Sequence, residues 1–456
     1  MSKQPSPFLG QTVVVLGLGR SGVAVARLLH AHGANVTVND AKERSQAPEA
    51  DVLEALGIQV ICGGHPDDLI NEEVDFVVKN PGIPYRIAPI VSAMGRGIPV
   101  VTEVEVASRV AKASIIGITG SNGKTTTTTL VGAIMAKAGQ KYQVAGNIGR
   151  ALTDVVTDME TDEWLVAELS SFQLKGTSTF RPRIGALLNV TEAHLDYHGA
   201  MEDYVSSKLS LFQAQQQEDL AILNYDDEIC RKVSGSLSSR IWWFSRTQSV
   251  PCGVWVERGE ILAKMETGLV QSVLPVAEVL IPGQHHLENA LAATAIALAA
   301  GSPLLAIQET LRTFSGVEHR LEFVREYKGV RYYNDSKATN AQAARLALES
   351  FSAPVVWIAG GLDRGVDFHE LLPVLAKQVR GVVVYGEAAS TLAARAEEAG
   401  VPFKEVEDVL AATRVASAWA QAKDVVLLSP ACASWDKYPS FEVRGSIFKQ
   451  AVHRLN

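Results

Sequence analysis

The sequence predicts an α/β protein of three domains with largely parallel sheets. Three observations point there. Short apolar, β-branched runs alternate with segments of helical period, the signature of βαβ units. Two glycine-rich turns, GLGRSG and GSNGKTT, each follow such a run and open a helix pattern. The length of 456 residues exceeds what one hydrophobic core commonly serves.

The elements follow in order. TVVVLG, NVTVND, QVIC and DFVVK read as strands, with helix patterns over residues 21–32 and 48–56. Such alternation predicts a parallel, Rossmann-like sheet with right-handed crossovers. VTEVEVASR reads as a passage into the next unit, so the first domain is placed at residues 1–105. The second, 106–316, opens with the buried strand SIIGIT and a helix pattern over 125–138, as in P-loop ATPases. WLVAEL, IGALLNV and LAILN are its further strands, and residues 203–213 read as a helix. Residues 241–281 change to short strands carrying Trp242, Trp243 and Trp255. An alanine-rich helix from His286 and another over 307–314 lead to a linker at Phe314, Ser315 and Gly316. The third domain, 317–456, resumes a Rossmann-like alternation with VRYYND, a helix over 340–348, PVVWIAG, a helix after Asp367, GVVVYG and DVVLLSP.

Composition narrows the function. Apolar residues make up 47% and charged residues 20%, which is globular and argues against disorder. The net charge of −8, with no dense basic cluster, speaks against nucleic acid and anionic membranes as partners. A DNA-translocating ATPase conflicts with that balance. The start, MSKQPSPFLG, has no signal-peptide pattern. The longest apolar run, residues 289–307, is broken by Gly301, Ser302 and Pro303, so a buried helix fits it better than membrane insertion. Cys62, Cys230, Cys252 and Cys432 are scattered without a CxxC pair, which suits free thiols in the cytoplasm.

Ligands of parallel sheets sit at the carboxyl ends of strands, where the motifs fall. Gly17, Gly19, Arg20, Ser21 and Gly22 open a helix, and Asp40 ends the next strand. This is the dinucleotide fingerprint, but the helix N-terminus recognises a diphosphate and not its base. A nicotinamide-dependent oxidoreductase and any other nucleotide diphosphate site both fit. Gly120, Ser121, Asn122, Gly123, Lys124, Thr125 and Thr126 place only two residues between glycines where the usual phosphate loop has four. The parts remain: free N–H groups, a lysine for β/γ-phosphates and a threonine for magnesium. A nucleotide switch or scaffold with a degenerate loop is the alternative. Glu168, ending WLVAEL, is a hard oxygen ligand for Mg²⁺ or a solvated strand-end acid. His194 in NVTEAHLD is a metal ligand or an ordinary loop histidine, and Lys208 reads as a surface lysine. NDSKATN reads as a helix cap. Cys432 reads as a small buried residue.

Taken together, GSNGKTT, ELSSFQL, NVTEAHLD, GQHHLENALAA and His319–Arg320 resemble the Mur ligase family of ATP-dependent amide ligases. NDSKATN, AGGLDRG and SPACASWDKYPSFEVRG are similar to its D-glutamate-adding branch. The likeness runs from GLGRSG to the C-terminal helix. It implies that ATP, D-glutamate and UDP-N-acetylmuramoyl-L-alanine are the partners of a monomeric enzyme. The alanyl carboxylate would attack the γ-phosphate, and the amine of D-glutamate would then attack the acyl phosphate. A sister ligase taking another amino acid is the nearest alternative.

The resemblance also implies roles. The glycine loop would hold the UDP diphosphate, with Asp40 toward the uracil and Asn80 and Gly82 over the sugar nucleotide. Lys124, His194 and Lys208 would be catalytic. Asn147, Asn289, Arg320 and Asp335 would join residues 120–126 around ATP. Thr125, Glu168, His194 and Lys208 would hold Mg²⁺ at two sites, with Lys208 carbamylated because an ammonium cannot ligate a cation. Lys337, Thr339, Arg364, Ser434 and Phe441 would bind D-glutamate. Two positions depart from the family pattern: Arg364 stands where lysine is common, and His286 where asparagine is frequent.

Overall fold

The computed structural model describes residues 6–266 and 268–455. The expected outer limits at residues 1 and 456 fall outside them. Three sheets follow one another along the chain. The first comprises β1 (Thr12–Leu16), β2 (Asn35–Asp40), β3 (Gln59–Cys62), β4 (Phe76–Lys79) and β5 (Val100–Val101), all parallel, in the order β3-β2-β1-β4-β5. The order reverses between β1 and β4, which opens a crevice at their carboxyl ends.

The central sheet contains β6 (Ser114–Thr119), β7 (Tyr142–Gly146), β8 (Trp164–Glu168), β9 (Ile184–Leu187), β10 (Leu220–Asn224), β11 (Arg240–Ser245), β12 (Gly253–Glu257), β13 (Glu260–Lys264) and β14 (Val270–Pro275). Its order is β14-β13-β12-β11-β10-β9-β6-β8-β7. The last three strands pair antiparallel, so the Trp-rich stretch ends in a meander that extends a parallel sheet. Strand β6 lies between β8 and β9, and the loops leaving these three strands emerge side by side.

The third sheet holds β15 (Glu322–Tyr327), β16 (Val330–Asn334), β17 (Val355–Gly360), β18 (Val379–Tyr385), β19 (Phe403–Glu405) and β20 (Val425–Leu428), ordered β15-β16-β20-β17-β18-β19. Only β15 is antiparallel to its neighbour. Strands such as VVWIAG are buried along their whole length, as sheets covered on both faces require.

These sheets form two compact units. One contains the first two sheets and residues 288–310, and the other comprises residues 277–287 and 311 onward. Within the first, one hydrophobic cluster runs from Phe8 through Val104, Leu152 and Phe212 to Cys230, so the first two sheets share a core. VTEVEVASR is not a plain connection but the helix Glu103–Val110. Its buried acids are met by hydrogen bonds: Glu103 Oε1 accepts from Thr153 N at 2.6 Å and Glu105 Oε2 from Ser178 N at 2.9 Å. The helix expected over 203–213 instead spans Met201–Leu209, and the alanine-rich helix begins two residues early, at Gln284. Among the described residues no helix is long and apolar enough to cross a membrane.

Candidate active site

The loop after β6 is built by backbone constraint and by its neighbours. Gly123 sits at φ +83°, and a Cβ there would lie 2.1 Å from Asn289 Oδ1, so the loop and Asn289 close on each other only through glycine. The adjacent strand ends staple the loop. Asn122 N donates to Asn189 Oδ1 at 2.8 Å, and Thr191 N donates to Ser121 Oγ at 2.9 Å. Tyr204 OH and Ser121 Oγ lie 2.9 Å apart. Helix Lys124–Lys137 begins at once, which leaves its first N–H groups directed at the loop. Lys124 Nζ donates to the carbonyls of Gly120 (2.8 Å) and Ser121 (2.9 Å).

Lys208 overturns the expectation of a surface lysine. It is 1% exposed, and its Nζ donates to the same Gly120 carbonyl at 2.8 Å and lies 4.5 Å from the Tyr204 ring centroid. No carboxylate pairs with it among the described residues. Burial first, and the nearby Lys124 second, push its pKa down to about 7. A buried amine held near neutrality beside a phosphate-loop carbonyl points to chemistry rather than structure.

Glu168 is 2% exposed, so it is not a solvated strand-end acid. Its Oε1 accepts from Asn147 Nδ2 at 2.9 Å, whereas Oε2 is buried without a hydrogen-bond partner among the described residues. An unsatisfied buried carboxylate oxygen is costly unless a ligand meets it. His194 is exposed and left-handed at φ 56°, its ring 5.0 Å from that of Phe172. A non-glycine residue held there is a strained feature of the kind that gathers at sites. The hydroxyl of Thr125 and the carboxylate of Glu168 fit a hard divalent cation. The His194 imidazole is a borderline ligand that does not discriminate for one. The Glu168 oxygen left without a partner among the described residues is the observation that favours a cation.

At the first sheet the glycines are required by close approach. A Cβ on Gly22 would lie 1.9 Å from Gly17 O, and one on Gly17 2.5 Å from Asn80 Nδ2. Ser21 Oγ donates to Asn80 Oδ1 at 3.0 Å, which joins the loops after β1 and β4 across the crevice. Asp40 Oδ2 accepts from Leu18 N at 2.7 Å and so braces the glycine turn. Gly19 and Arg20 stand exposed at the head of helix Arg20–Ala31, and Gly82 is exposed beyond Asn80.

In the other unit, β16, β20 and β17 deliver a second set of loops. Asp335 is buried and accepts from Ser429 Oγ (2.8 Å) and Leu321 N (3.2 Å), and burial pushes its carboxyl up to about 7. Arg320 acts on it electrostatically. Lys337 Nζ lies 4.3 Å from the Phe441 ring centroid, and Ser434 is buried. Thr339 and Arg364 line a cavity of about 370 Å³ with Leu362, Phe368 and Cys432. Cys432 is buried, and its thiol is pushed up to about 12, as an inert core residue requires. Asn340 is a true cap, accepting from Ala343 N at 2.8 Å. His286 is buried and its imidazole is held down to about 3, again chiefly by burial.

Three family domains match the chain in series. They are the Mur ligase MurD-like N-terminal domain over residues 11–102, the Mur ligase middle domain over 118–297 and the Mur ligase glutamate ligase domain over 319–432. The chain belongs to the Mur ligase family. It is 48% identical over 445 residues to the UDP-N-acetylmuramoylalanine–D-glutamate ligase of Geobacillus kaustophilus, covering 97% of each chain. It is 46% identical to the ligase of the same name from Shouchella clausii, covering 99% of each. Two solved Mur ligases share its fold: MurF from Acinetobacter baumannii (TM-score 0.60, 20% identity, 92% of this chain and 91% of that one) and the UDP-N-acetylmuramate-alanine ligase of Thermotoga maritima (TM-score 0.56, 20% identity, 97% and 99%). Membership of the Mur ligase family removes the ground for the nicotinamide and scaffold readings.

Some residues of this Mur ligase site escaped sequence reading. Tyr204 positions the phosphate loop but carries no motif of its own, and Asn189, which also braces the loop, opens NVTEAHLD with no feature that marks that role. Arg444 is fully buried and donates to Ser336 O (2.7 Å), Ser336 Oγ (2.9 Å) and Cys432 O (3.0 Å), cross-bracing the DSKATN and SPACAS loops. Its place three residues into a helix gives no local sign of that burial.

Proposed function

We propose that this Mur ligase joins D-glutamate to UDP-N-acetylmuramoyl-L-alanine, driven by ATP cleavage and passing through an acyl phosphate, in cytoplasmic peptidoglycan precursor synthesis. The near-full-length identity to ligases of that activity carries the reading. The first domain, 1–105, holds the sugar nucleotide, with its diphosphate on Gly17, Gly19, Arg20, Ser21 and Gly22 and the remainder against Asp40, Asn80 and Gly82. Helix N-terminal N–H groups suit that charge.

The second domain, 106–316, holds ATP on residues 120–126, with Asn147 and Asn289 toward the base. Arg320 and Asp335 of the third, 317–456, are assigned to ATP as well. The Lys124 ammonium exchanges its two loop carbonyls for phosphate oxygens and offsets their charge as the alanyl carboxylate approaches. Thr125, Glu168, His194 and Lys208 would hold Mg²⁺ at two sites, where the cation would supply positive charge to offset that of carboxylate and phosphate. Lys208 serves there as a carbamate. Its depressed pKa leaves much of it as free amine at neutral pH, the form that adds CO₂. Lys337 and Arg364 meet the two carboxylates of D-glutamate, with Thr339, Ser434 and Phe441 around them. The guanidinium fork gives a bidentate contact where a lysine gives a point charge.

The test is amino-acid dependence. Phosphate release from ATP is expected only with UDP-N-acetylmuramoyl-L-alanine and D-glutamate together. Release with L-lysine or diaminopimelate in place of D-glutamate assigns the chain to a sister activity.

A further inference from the structure

The loops after β17 and β20 are tied to each other by backbone. Gly360 N donates to Pro430 O and Leu362 N to Ala433 O, both at 2.9 Å. Gly361 permits this approach: at φ +142°, a Cβ on it would lie 2.2 Å from Ala433 O. Each loop then carries one large side chain outward. Arg364 leaves the first and Trp435 the second, and the guanidinium carbon lies 5.1 Å from the indole ring centroid. Trp435 is 66% exposed, so the ring is held by neither core nor cap. Arg364 lines the 370 Å³ cavity that Thr339 also lines. The second cation assigned to the amino acid, Lys337, lies over a ring of its own, Phe441.

We infer that Trp435 is a positioning residue for the incoming amino acid: its indole holds the Arg364 guanidinium at the mouth of this cavity and thereby sets the affinity for D-glutamate. Three facts support this. An exposed arginine samples many rotamers, and binding a carboxylate must order it. A ring stacked on the guanidinium orders it beforehand, so less is lost when the carboxylate arrives. Because the two loops are bonded through their backbones, ring and guanidinium keep their spacing without a core beneath them. The inference rests on the assignment of D-glutamate to Arg364.

Steady-state kinetics on the full chain test it, with ATP, UDP-N-acetylmuramoyl-L-alanine and D-glutamate each varied. D-glutamate-dependent phosphate release by the wild type is the prior condition. Its absence refutes the functional reading and leaves nothing for Trp435 to position. Given that release, Trp435→Ala is expected to raise KM for D-glutamate about two- to fivefold, with kcat and the other two KM values unchanged. Trp435→Phe restores most of the loss, since a ring remains. In an Arg364→Ala background, Trp435→Ala adds nothing. An unchanged KM for D-glutamate overturns the proposal. So does a parallel rise of all three KM values, which marks a merely structural residue, or a full penalty persisting without Arg364.

Discussion

Lys208 and Glu103 are both buried, and both titrate near pH 7 from opposite sides. Glu103 is raised from 4.5 to about 7, burial outweighing the hydrogen bonds from Thr153. Its folded pKa lies above its unfolded value, so its contribution is complete below about pH 4.5 and is lost as pH rises through about 7. Glu103→Gln keeps an oxygen for Thr153 and cannot ionise. Chemical denaturation should therefore find the variant gaining on the wild type between pH 5 and pH 8, by on the order of 3 kcal/mol. Parallel stability profiles would show that Glu103 is not buried as described. Lys208 has the reverse sign. Lowered from 10.5 to about 7, it destabilises the fold below pH 7 and ceases to do so above 10.5. That a destabilising amine is retained agrees with a catalytic use. Lys124 is less buried than Lys208, and Lys124→Ala should cost about 10²–10³-fold in kcat while leaving the thermal midpoint nearly unmoved.

The phosphate loop is an element whose shape depends on one glycine. Gly123→Ala must take a left-handed backbone and displace Asn289. A penalty of about 1–3 kcal/mol follows from the backbone alone, and KM for ATP should rise at least tenfold. An alanine variant with unchanged KM would mean that Asn289 does not close on the loop. This strand–loop–helix was legible in GSNGKTT because its chemistry is local: glycines, a lysine and a threonine at fixed offsets after a buried strand. The same holds for the turn at Gly17–Gly22 and the cap at Asn340. What stayed hidden was created by packing between distant segments. Lys208 is buried because its helix lies under Gly120, 88 residues earlier in the chain. The helix Glu103–Val110 was obscured by the alternation in TEVEV, which mimics a strand. Its acids turn inward because Thr153, Ser178 and Thr179 supply donors from segments some 50 to 75 residues away. Arg444 was hidden in the same way, its burial set by the loops after the neighbouring strands β16 and β20, 108 and 12 residues earlier in the chain.

At the scale of the molecule, the acidic sum of −8 and a set of anionic substrates are compatible because the cations are placed rather than numerous. Lys124 and Lys208 share one carbonyl, and Lys337 and Arg364 each stand on an aromatic ring. Bulk polyanions meet the sum, whereas a bound nucleotide meets the few charges around it. The division into two compact units has a thermodynamic consequence. Each unit has its own hydrophobic clusters, so unfolding should not be two-state. Scanning calorimetry should resolve at least two transitions, or a van't Hoff enthalpy well below the calorimetric one. Residues 120–126, Glu168, His194 and Lys208 all belong to the unit carrying the first two sheets. A non-hydrolysable ATP analogue with Mg²⁺ should therefore raise the transition of that unit more than the other. At a hundred times its dissociation constant the stabilisation is about 2.7 kcal/mol. Lys124→Ala should abolish the shift without merging the transitions. A single transition with equal enthalpies would mean that the two units unfold as one.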